Sequence, residues 1–116
     1  MAPVIMGAPE QPELSEALTD SFCRTEPEIA KQFARVTFTS DNRQDVIGLA
    51  TPVLILQSSV DLNAPVPVGE YLHGVLPNST YCLADNVGHC PHLRAPHACA
   101  VSMESFLAPR AATRPR

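Results

Sequence analysis

The apolar positions of the chain change their spacing at about position 50. Before that point, two stretches repeat apolar residues every three or four positions, from Pro12 to Cys23 and from Pro27 to about Phe38. This spacing is typical of one face of a helix. After it, residues Val53 to Leu56 are all apolar, which is typical of a strand covered on both faces in a parallel sheet. The pattern therefore predicts two helices followed by a region that contains strands.

The second half of the chain alternates strand and helix patterns. A helical pattern from Val66 to Leu76 follows the first strand, and a second strand is predicted from Ser79 to Ala84. A last helix is predicted over residues 97–107. Four of its residues are expected to face the core: Ala98, Val101, Met103 and Phe106. Strand–helix–strand units almost always join parallel strands by a right-handed crossover, so the predicted fold class is α/β.

The remaining segments are predicted to lack regular structure. Residues 1–11 contain prolines and a glycine and are expected to form an irregular lead-in, and residues 85–96 are expected to form a loop. Residues 109–116 are rich in Pro, Ala and Arg and are expected to be a disordered tail. Thr25 is expected to cap the second helix, because its hydroxyl can accept a hydrogen bond from a first-turn N–H.

Composition and charge exclude several classes of function. Only 17% of the residues are charged, against about 25% in an average soluble domain, which indicates that much of the surface is meant to be covered. The net charge is −4 and the basic residues form no stripe, so no nucleic-acid partner is expected. No apolar run approaches the roughly 18 residues that span a bilayer, and the N-terminus has no signal-peptide pattern. We therefore expect a cytoplasmic protein with free thiols and no membrane partner.

An acid and a histidine follow the two predicted strands. Asp61 lies shortly after the first strand, and His89 follows the second, after Gly88, which permits a tight turn. Because loops at the carboxyl ends of parallel strands converge on one edge of the sheet, these side chains are expected to meet. A carboxylate that binds an imidazole orients it as a general base. The pair is two thirds of a nucleophile–His–acid triad, and the sequence contains no Gly-x-Ser-x-Gly turn for the nucleophile.

The candidate residues also have ordinary structural interpretations. Asp61 alone is compatible with a loop aspartate that forms an Asx turn, and His89 alone with a loop histidine. Ser58 and Ser59 lie beside Asp61, but no glycine pattern for an oxyanion hole precedes them. His73 is interpreted as a solvated helix histidine.

The nearby cysteines and histidines raise the question of a metal. Cys90, His92, His97 and Cys99 are all residue types that bind zinc, but their spacing matches no recognised zinc pattern. Cys99 lies at a helix position that is expected to be core, and Cys90 is expected to pack rather than react. No metal and no other cofactor is therefore expected.

The residues around the candidate pair resemble those of a known family. Similar segments occur in α/β-hydrolases, in particular in RsbQ-type stress-signalling hydrolases and in the strigolactone and karrikin receptors of plants. The resemblance covers residues 1–108 and rests on these segments: Phe22–Pro27, Ile29–Ala34, Ser40–Asp41, Leu54–Gln57, Asp61–Pro65 and Gly88–His92. The last two segments are specific together, whereas either alone is a weak signal.

The resemblance implies the C-terminal part of an α/β-hydrolase. It implies a lid-type helical segment and connector over residues 1–50 and the βαβα part of the core over residues 51–108, with the tail after it. It implies that Asp61 is the triad acid and His89 the triad base. Phe38 corresponds to a pocket-lining aromatic of the family, and Phe33 and Leu62 are further candidates for the substrate pocket. The family's nucleophile elbow, its oxyanion loop and most of its sheet have no counterpart in this sequence.

The primary hypothesis of function is serine-type hydrolysis of a small hydrophobic ester or lactone. This chain would carry the acid and the base, and it is expected to be inactive alone because the nucleophile lies outside it. The alternatives are a non-catalytic ligand-binding or stress-signalling module, and a truncated remnant. The expected partners are a small hydrophobic ligand and either a complementary N-terminal half or a signalling protein.

Overall fold

A computed structural model describes residues 2–111 of the chain as an α/β fold. Two parallel strands form its sheet. The elements in chain order are α1 Ala2–Met6, α2 Pro12–Cys23, α3 Pro27–Thr39, α4 Arg43–Val46, β1 Val53–Val60, α5 Val66–Val75, β2 Ser79–Val87, α6 Pro91–Arg94 and α7 Pro96–Ala111. The predicted order of two helices and then a βαβα unit is confirmed.

The strands pair in parallel along their whole length. Val53 lies opposite Ser79 at one end, and Val60 lies opposite Val87 at the other, with an irregularity between Ser58 and Val60. Both strands are longer than the sequence predicted, and part of the predicted 85–96 loop is strand β2.

Hydrogen bonds explain why β2 continues through polar residues. The backbone N–H of Asn86 donates to the Ser59 hydroxyl (3.1 Å), which in turn donates to the Asn86 carbonyl (3.1 Å). The Asn86 side chain also donates to the Ser58 hydroxyl (3.0 Å). Asparagine is a poor strand former, but these contacts satisfy its polar groups within the sheet.

Helices α5 and α7 cover opposite faces of the sheet. The Tyr81 ring lies against α5 at Gly69, whereas the neighbouring Cys82 contacts Ser102 of α7, with 3.5 Å between Sγ and Oγ. Successive side chains of a strand point to opposite faces, so the two helices lie on different sides. The run Val53–Leu56, predicted to be covered on both faces, is half-buried.

The face that α7 turns inward differs from the prediction. Cys99 is buried and Ser102 and Phe106 are half-buried, whereas Ala98 and Val101 are exposed. The prediction that Phe106 and Cys99 face the core is confirmed. The prediction that Ala98, Val101 and Met103 face the core is wrong, because all three are exposed. Small and apolar residues are mixed along this helix, so its sequence shows no clear helical period. The inward face consists of Cys99, Ser102 and Phe106, which lie at helical spacing.

The N-terminal segment is structured, contrary to the prediction. Ala2, Ile5 and Met6 of α1 are buried, as is Ala8 after it. A helix of five residues is too short for its periodicity to be recognised in the sequence. Four of the six buried hydrophobic residues among the described residues lie in positions 2–8.

Helices α2 and α3 contribute no buried side chain. Their bounds agree with the prediction, but the predicted cap does not. The N-cap residue of α3 is Glu26, which makes no side-chain capping hydrogen bond, and the Thr25 backbone N–H donates to the Phe22 carbonyl (3.1 Å). Thr25 therefore belongs to the turn that ends α2 and does not cap α3.

Helix α7 runs to Ala111, so residues 109–111 are helical rather than part of a tail. Residues 112–116 of the predicted tail lie outside the described residues.

Candidate active site

Asp61 immediately follows β1, and its carboxylate organises the loop that it begins. One oxygen, Oδ1, accepts hydrogen bonds from the backbone N–H groups of Asn63 (2.8 Å) and Ala64 (3.0 Å). This is the Asx turn that the sequence allowed as an ordinary interpretation of Asp61. The turn uses only one carboxylate oxygen, so Oδ2 remains for another partner.

His89 lies at the same edge of the sheet, two residues after the end of β2. Gly88 has a φ of 108°, a conformation that L side chains rarely adopt, and its N–H donates to the carbonyl of Val60 (2.8 Å). This bond ties the end of β2 to the end of β1. The His89 N–H donates to the carbonyl of Ile5 in α1 (2.6 Å). The backbone of His89 is therefore fixed from two sides.

The two candidate side chains meet in a short hydrogen bond. Nδ1 of His89 lies 2.7 Å from Oδ2 of Asp61. The Asp61 side chain is only 5% exposed, whereas that of His89 is 44% exposed. The carboxylate is thus enclosed and satisfied by three donors, while the imidazole has one edge against the acid and retains access to solvent.

The environment of Asp61 keeps it ionised at neutral pH. Burial of the carboxyl raises its pKa, but hydrogen bonds from the Ala64 N–H, the His89 ring and the Asn63 N–H outweigh burial, and the pKa is lowered from its ordinary 3.8. An ionised carboxylate can only accept hydrogen bonds. Nδ1 of His89 must therefore carry the proton in this contact, which leaves Nε2 as the nitrogen able to accept one.

Two buried polar side chains that were not among the predicted site residues support this pair. Gln57 donates from Nε2 to the carbonyl of Ala64 (2.8 Å), the residue whose N–H binds Asp61. Asn86 donates from Nδ2 to the carbonyl of Gly88 (3.1 Å), directly before His89. A glutamine or an asparagine in the strand shortly before each candidate residue is the signal that could have identified them.

The other candidate residues take structural roles or stay apart from the pair. Ser58 and Ser59 bind Asn86 across the sheet, as described above. Burial and then the charge of Asp61 raise the pKa of the Cys90 thiol, which disfavours the reactive thiolate. His73 is exposed but not merely solvated, because its Nδ1 lies 2.8 Å from the Ser79 hydroxyl and its ring packs near Tyr81.

Within residues 2–111, no group of three or more His, Cys, Asp or Glu side chains is placed to hold a metal ion. In the same range, no helix is both long and apolar enough to cross a membrane.

The three candidate pocket residues, Phe33, Phe38 and Leu62, are all exposed. Phe33 and Phe38 lie on α3 and are 73% and 81% exposed. Leu62 follows Asp61 directly and is also exposed. A groove of about 520 Å³ between the sheet and α7 is lined by residues that include Leu54 and Phe106 but neither member of the pair. The assignment of Phe33, Phe38 and Leu62 to a substrate pocket stays a prediction.

Several known proteins are similar to this chain. It is 34% identical over 100 residues to karrikin insensitive 2 receptor IA of Petunia hybrida, a match that covers 82% of this chain and 35% of the receptor. It is 32% identical over 108 residues to a strigolactone esterase of Pisum sativum, with 91% of this chain and 40% of the esterase covered. No protein-family profile matches the sequence.

A solved structure shares the fold. A hydrolase from Oleispira antarctica superposes with a TM-score of 0.83 and 39% sequence identity, over 90% of this chain and 39% of that one. The chain therefore spans about two fifths of the length of the curated relatives and of the solved structure that it matches. Sequence and structure point to the same superfamily, and the matched share fits its C-terminal part.

Proposed function

Because the chain belongs to the α/β-hydrolase superfamily, as a C-terminal part of that fold, we propose that it carries the base and the orienting acid of a serine-type hydrolase. The observation that carries this proposal is the 2.7 Å contact between His89 Nδ1 and Asp61 Oδ2 at the carboxyl ends of parallel strands. The substrate class is a small hydrophobic ester or lactone, and the site of action is the cytoplasm. Within the superfamily, the chain is assigned to the branch of RsbQ-type hydrolases and strigolactone and karrikin receptors.

The chemistry follows the usual acyl-transfer sequence. A serine from outside these 116 residues attacks the substrate carbonyl while Nε2 of His89 takes its proton. Asp61 stabilises the imidazolium through Nδ1. The imidazolium then gives the proton to the departing alcohol, and an acyl-serine remains. Water, deprotonated by His89 in turn, releases the acid and regenerates the serine.

Phe33 and Phe38 fit the binding of a hydrophobic substrate. Both aromatic side chains are exposed on α3, and a helix that shows an apolar stripe to solvent has a surface suited to covering something else. In this proposal α2 and α3 form part of a lid, and Phe33, Phe38 and Leu62 face the ligand under it. The rest of the sheet and the nucleophile come from a complementary N-terminal half.

A second candidate function is a non-catalytic ligand-binding or signalling module. It is favoured by the absence of a Gly-x-Ser-x-Gly turn from the sequence and by a relative whose name describes a receptor. In that case a signalling protein is the expected partner, and the Asp61–His89 pair serves the ligand site without turnover.

A chimera distinguishes the two functions. We would fuse the part of the Oleispira antarctica hydrolase that this chain does not match to the chain itself, and measure hydrolysis of p-nitrophenyl acetate. The 116-residue chain alone is expected to show no saturable turnover, because loss of the nucleophile costs on the order of a million-fold. The chimera is expected to turn over, and His89→Ala is expected to abolish that activity.

The matched control is His97→Ala, which removes an exposed helix histidine and is expected to leave turnover unchanged. A folded chimera that binds a hydrophobic ester but hydrolyses it equally well with and without His89 would refute the hydrolase proposal. A folded chimera that binds the ester without any turnover would favour the non-catalytic module.

A further inference from the structure

The N-terminal segment, residues 2–10, rests directly on the turn that carries His89. Its Gly7 and the Gly88 of that turn are in backbone contact, because a Cβ on Gly7 would come within 2.9 Å of the Gly88 Cα. A Cβ on Gly88 would collide with the carbonyl of Met6. Together with the bond from the His89 N–H to the Ile5 carbonyl, this shows two backbones packed with no side chain between them.

Arg94 adds side-chain bonds to this backbone contact. It lies on α6, which begins immediately after Cys90, and its N–H donates to the Cys90 carbonyl (3.2 Å). One guanidinium nitrogen, Nη1, donates to the Gly7 carbonyl (2.7 Å), and Nη2 pairs with Oε1 of Glu10 (2.7 Å). The guanidinium thus connects α6, which follows His89, to the N-terminal segment, whose Ile5 carbonyl binds the His89 N–H.

The Arg94 contact has the features of a strong interaction. The Arg94 side chain is largely buried, and hydrogen bonds made by a charged donor are roughly twice as strong as those between neutral groups. The two bonds leave from different nitrogens of one planar group, so they fix an orientation as well as a distance. Neither bond involves Asp61, which pairs with His89, or Gln57 and Asn86, which support that pair from the sheet.

We propose that Arg94 is a positioning residue for His89, which acts by holding residues 5–10 against the Gly88–His89 turn. This inference rests on the proposed function for its catalytic meaning. His89 has to keep Nδ1 on Asp61 and Nε2 toward a nucleophile, and a displacement of about 1 Å in such a group can cost about a hundredfold in rate. The bond from the Gly88 N–H to Val60 fixes the start of the turn on the sheet. The two bonds of Arg94, to Gly7 and Glu10, are called the Arg94 clamp here, and they hold the N-terminal segment against the turn.

The test measures hydrogen exchange of backbone amides by NMR in the full 116-residue chain. Arg94→Gln keeps a polar side chain of similar length but removes the charge and the fork of donors. We expect exchange of the His89 amide, which is bonded to Ile5, to accelerate about tenfold or more. Amides within the β1–β2 ladder are expected to stay within about twofold of the wild type, since the clamp lies outside the sheet.

Three further variants define the effect. Arg94→Lys retains a cation that can reach Glu10 or Gly7 and is expected to recover most of the protection at His89. Glu10→Gln removes only the exposed arm of the clamp and is expected to accelerate exchange at His89 about threefold. Arg43→Gln is the matched control, because it breaks an arginine–carboxylate pair with Asp41 that is exposed and distant from the turn in sequence, and no change at His89 is expected.

Unchanged exchange at His89 in both Arg94→Gln and Glu10→Gln would overturn the proposal. Equal acceleration at His89 and throughout the β1–β2 ladder would also overturn it, because Arg94 would then support overall stability rather than this turn. If Arg94→Gln does not fold, Glu10→Gln decides the outcome. The measurement needs no substrate, so a folded chimera that binds the ester without turnover would count against the proposed hydrolase function without affecting this result.

Discussion

The region at the carboxyl ends of the strands and the α2–α3 region differ in how many contacts hold their side chains. Around Asp61 and His89, the carboxylate has three donors and the turn after β2 is tied to both β1 and α1. Helices α2 and α3 bury no side chain and expose Phe22, Phe33 and Phe38. The strand-end region is therefore held by contacts within the described residues, whereas no side chain of α3 is buried by residues 2–111.

The largest expected effect is a loss of turnover on replacing Asp61, compared with replacing Asp41, a paired carboxylate away from the site. In the chimera, Asp61→Asn is expected to lower turnover about ten-thousandfold, because an amide no longer fixes the Nδ1–H tautomer of His89. Asp41→Asn removes a carboxylate that pairs with Arg43 on the surface, and turnover should not change. Steady-state kinetics of the two variants make the comparison. Similar small losses in both would show that Asp61 has no special role.

The second prediction compares a buried and an exposed apolar side chain. Met6 is 1% exposed, and Met6→Ala is expected to lower the free energy of unfolding of the chain by about 2–5 kcal/mol. Phe33→Ala is expected to change it by less than about 0.5 kcal/mol, because the ring is mostly in solvent. Urea denaturation of the isolated chain measures both.

The same phenylalanine also tests the proposed lid. In the chimera, Phe33→Ala is expected to cost about 3–5 kcal/mol if α3 packs onto the added half. A cost that stays near zero in the chimera would contradict the assignment of α3 to a covering lid, and would make its apolar face a surface for some other partner.

A third prediction concerns two glycines. Gly88→Ala is expected to destabilise the chain by about 1–3 kcal/mol, because of its positive φ and the carbonyl of Met6 beside it. Gly74→Ala is the control: nothing lies within 4 Å of an added Cβ, and a helix position favours alanine by about 0.5–1 kcal/mol. Thermal melts of the two variants should move in opposite directions. A neutral Gly88→Ala would mean that residues 2–10 do not pack on the His89 turn.

The smallest expected effect is the pH dependence of the Asp61 contribution. A carboxyl with a lowered folded-state pKa contributes stability that is present above its unfolded pKa and is lost as the pH falls through the folded value. The difference in unfolding free energy between wild type and Asp61→Asn should therefore be constant above about pH 5 and shrink below the ordinary 3.8. Urea midpoints over a series of pH values test this. A difference that grows on acidification would show that the sign of the shift is wrong.

The parts of the fold that the sequence predicted are those with strong local signals. The bounds of α2 and α3 follow from prolines at their starts and a clear apolar period. The pairing of Asp61 and His89 follows from their positions after consecutive parallel strands. These features depend on neighbours in sequence, or on the single rule that strand ends converge at one edge.

The parts that the sequence did not predict depend on distant contacts. Helix α1 contains the buried residues Ile5 and Met6, and its Ile5 carbonyl accepts a hydrogen bond from the His89 N–H, which lies more than eighty residues later. Strand β2 continues through Asp85 and Asn86 because Ser58 and Ser59 satisfy Asn86 from the neighbouring strand. Local propensity carries no information about such partners, so the sequence alone predicts a lead-in and a loop at these positions.

The pairing of Asp61 with His89 is tested most directly by ¹⁵N NMR of the imidazole of His89 in the 116-residue chain. We predict that Nδ1 carries the proton, that this proton resonates at low field because of its short bond to the carboxylate, and that Asp61→Asn removes the low-field signal. The resonances of His97 provide an internal reference and should not respond. An imidazole of His89 that is protonated on Nε2 in the wild type, and unchanged in Asp61→Asn, would contradict the assignment of these residues as base and orienting acid.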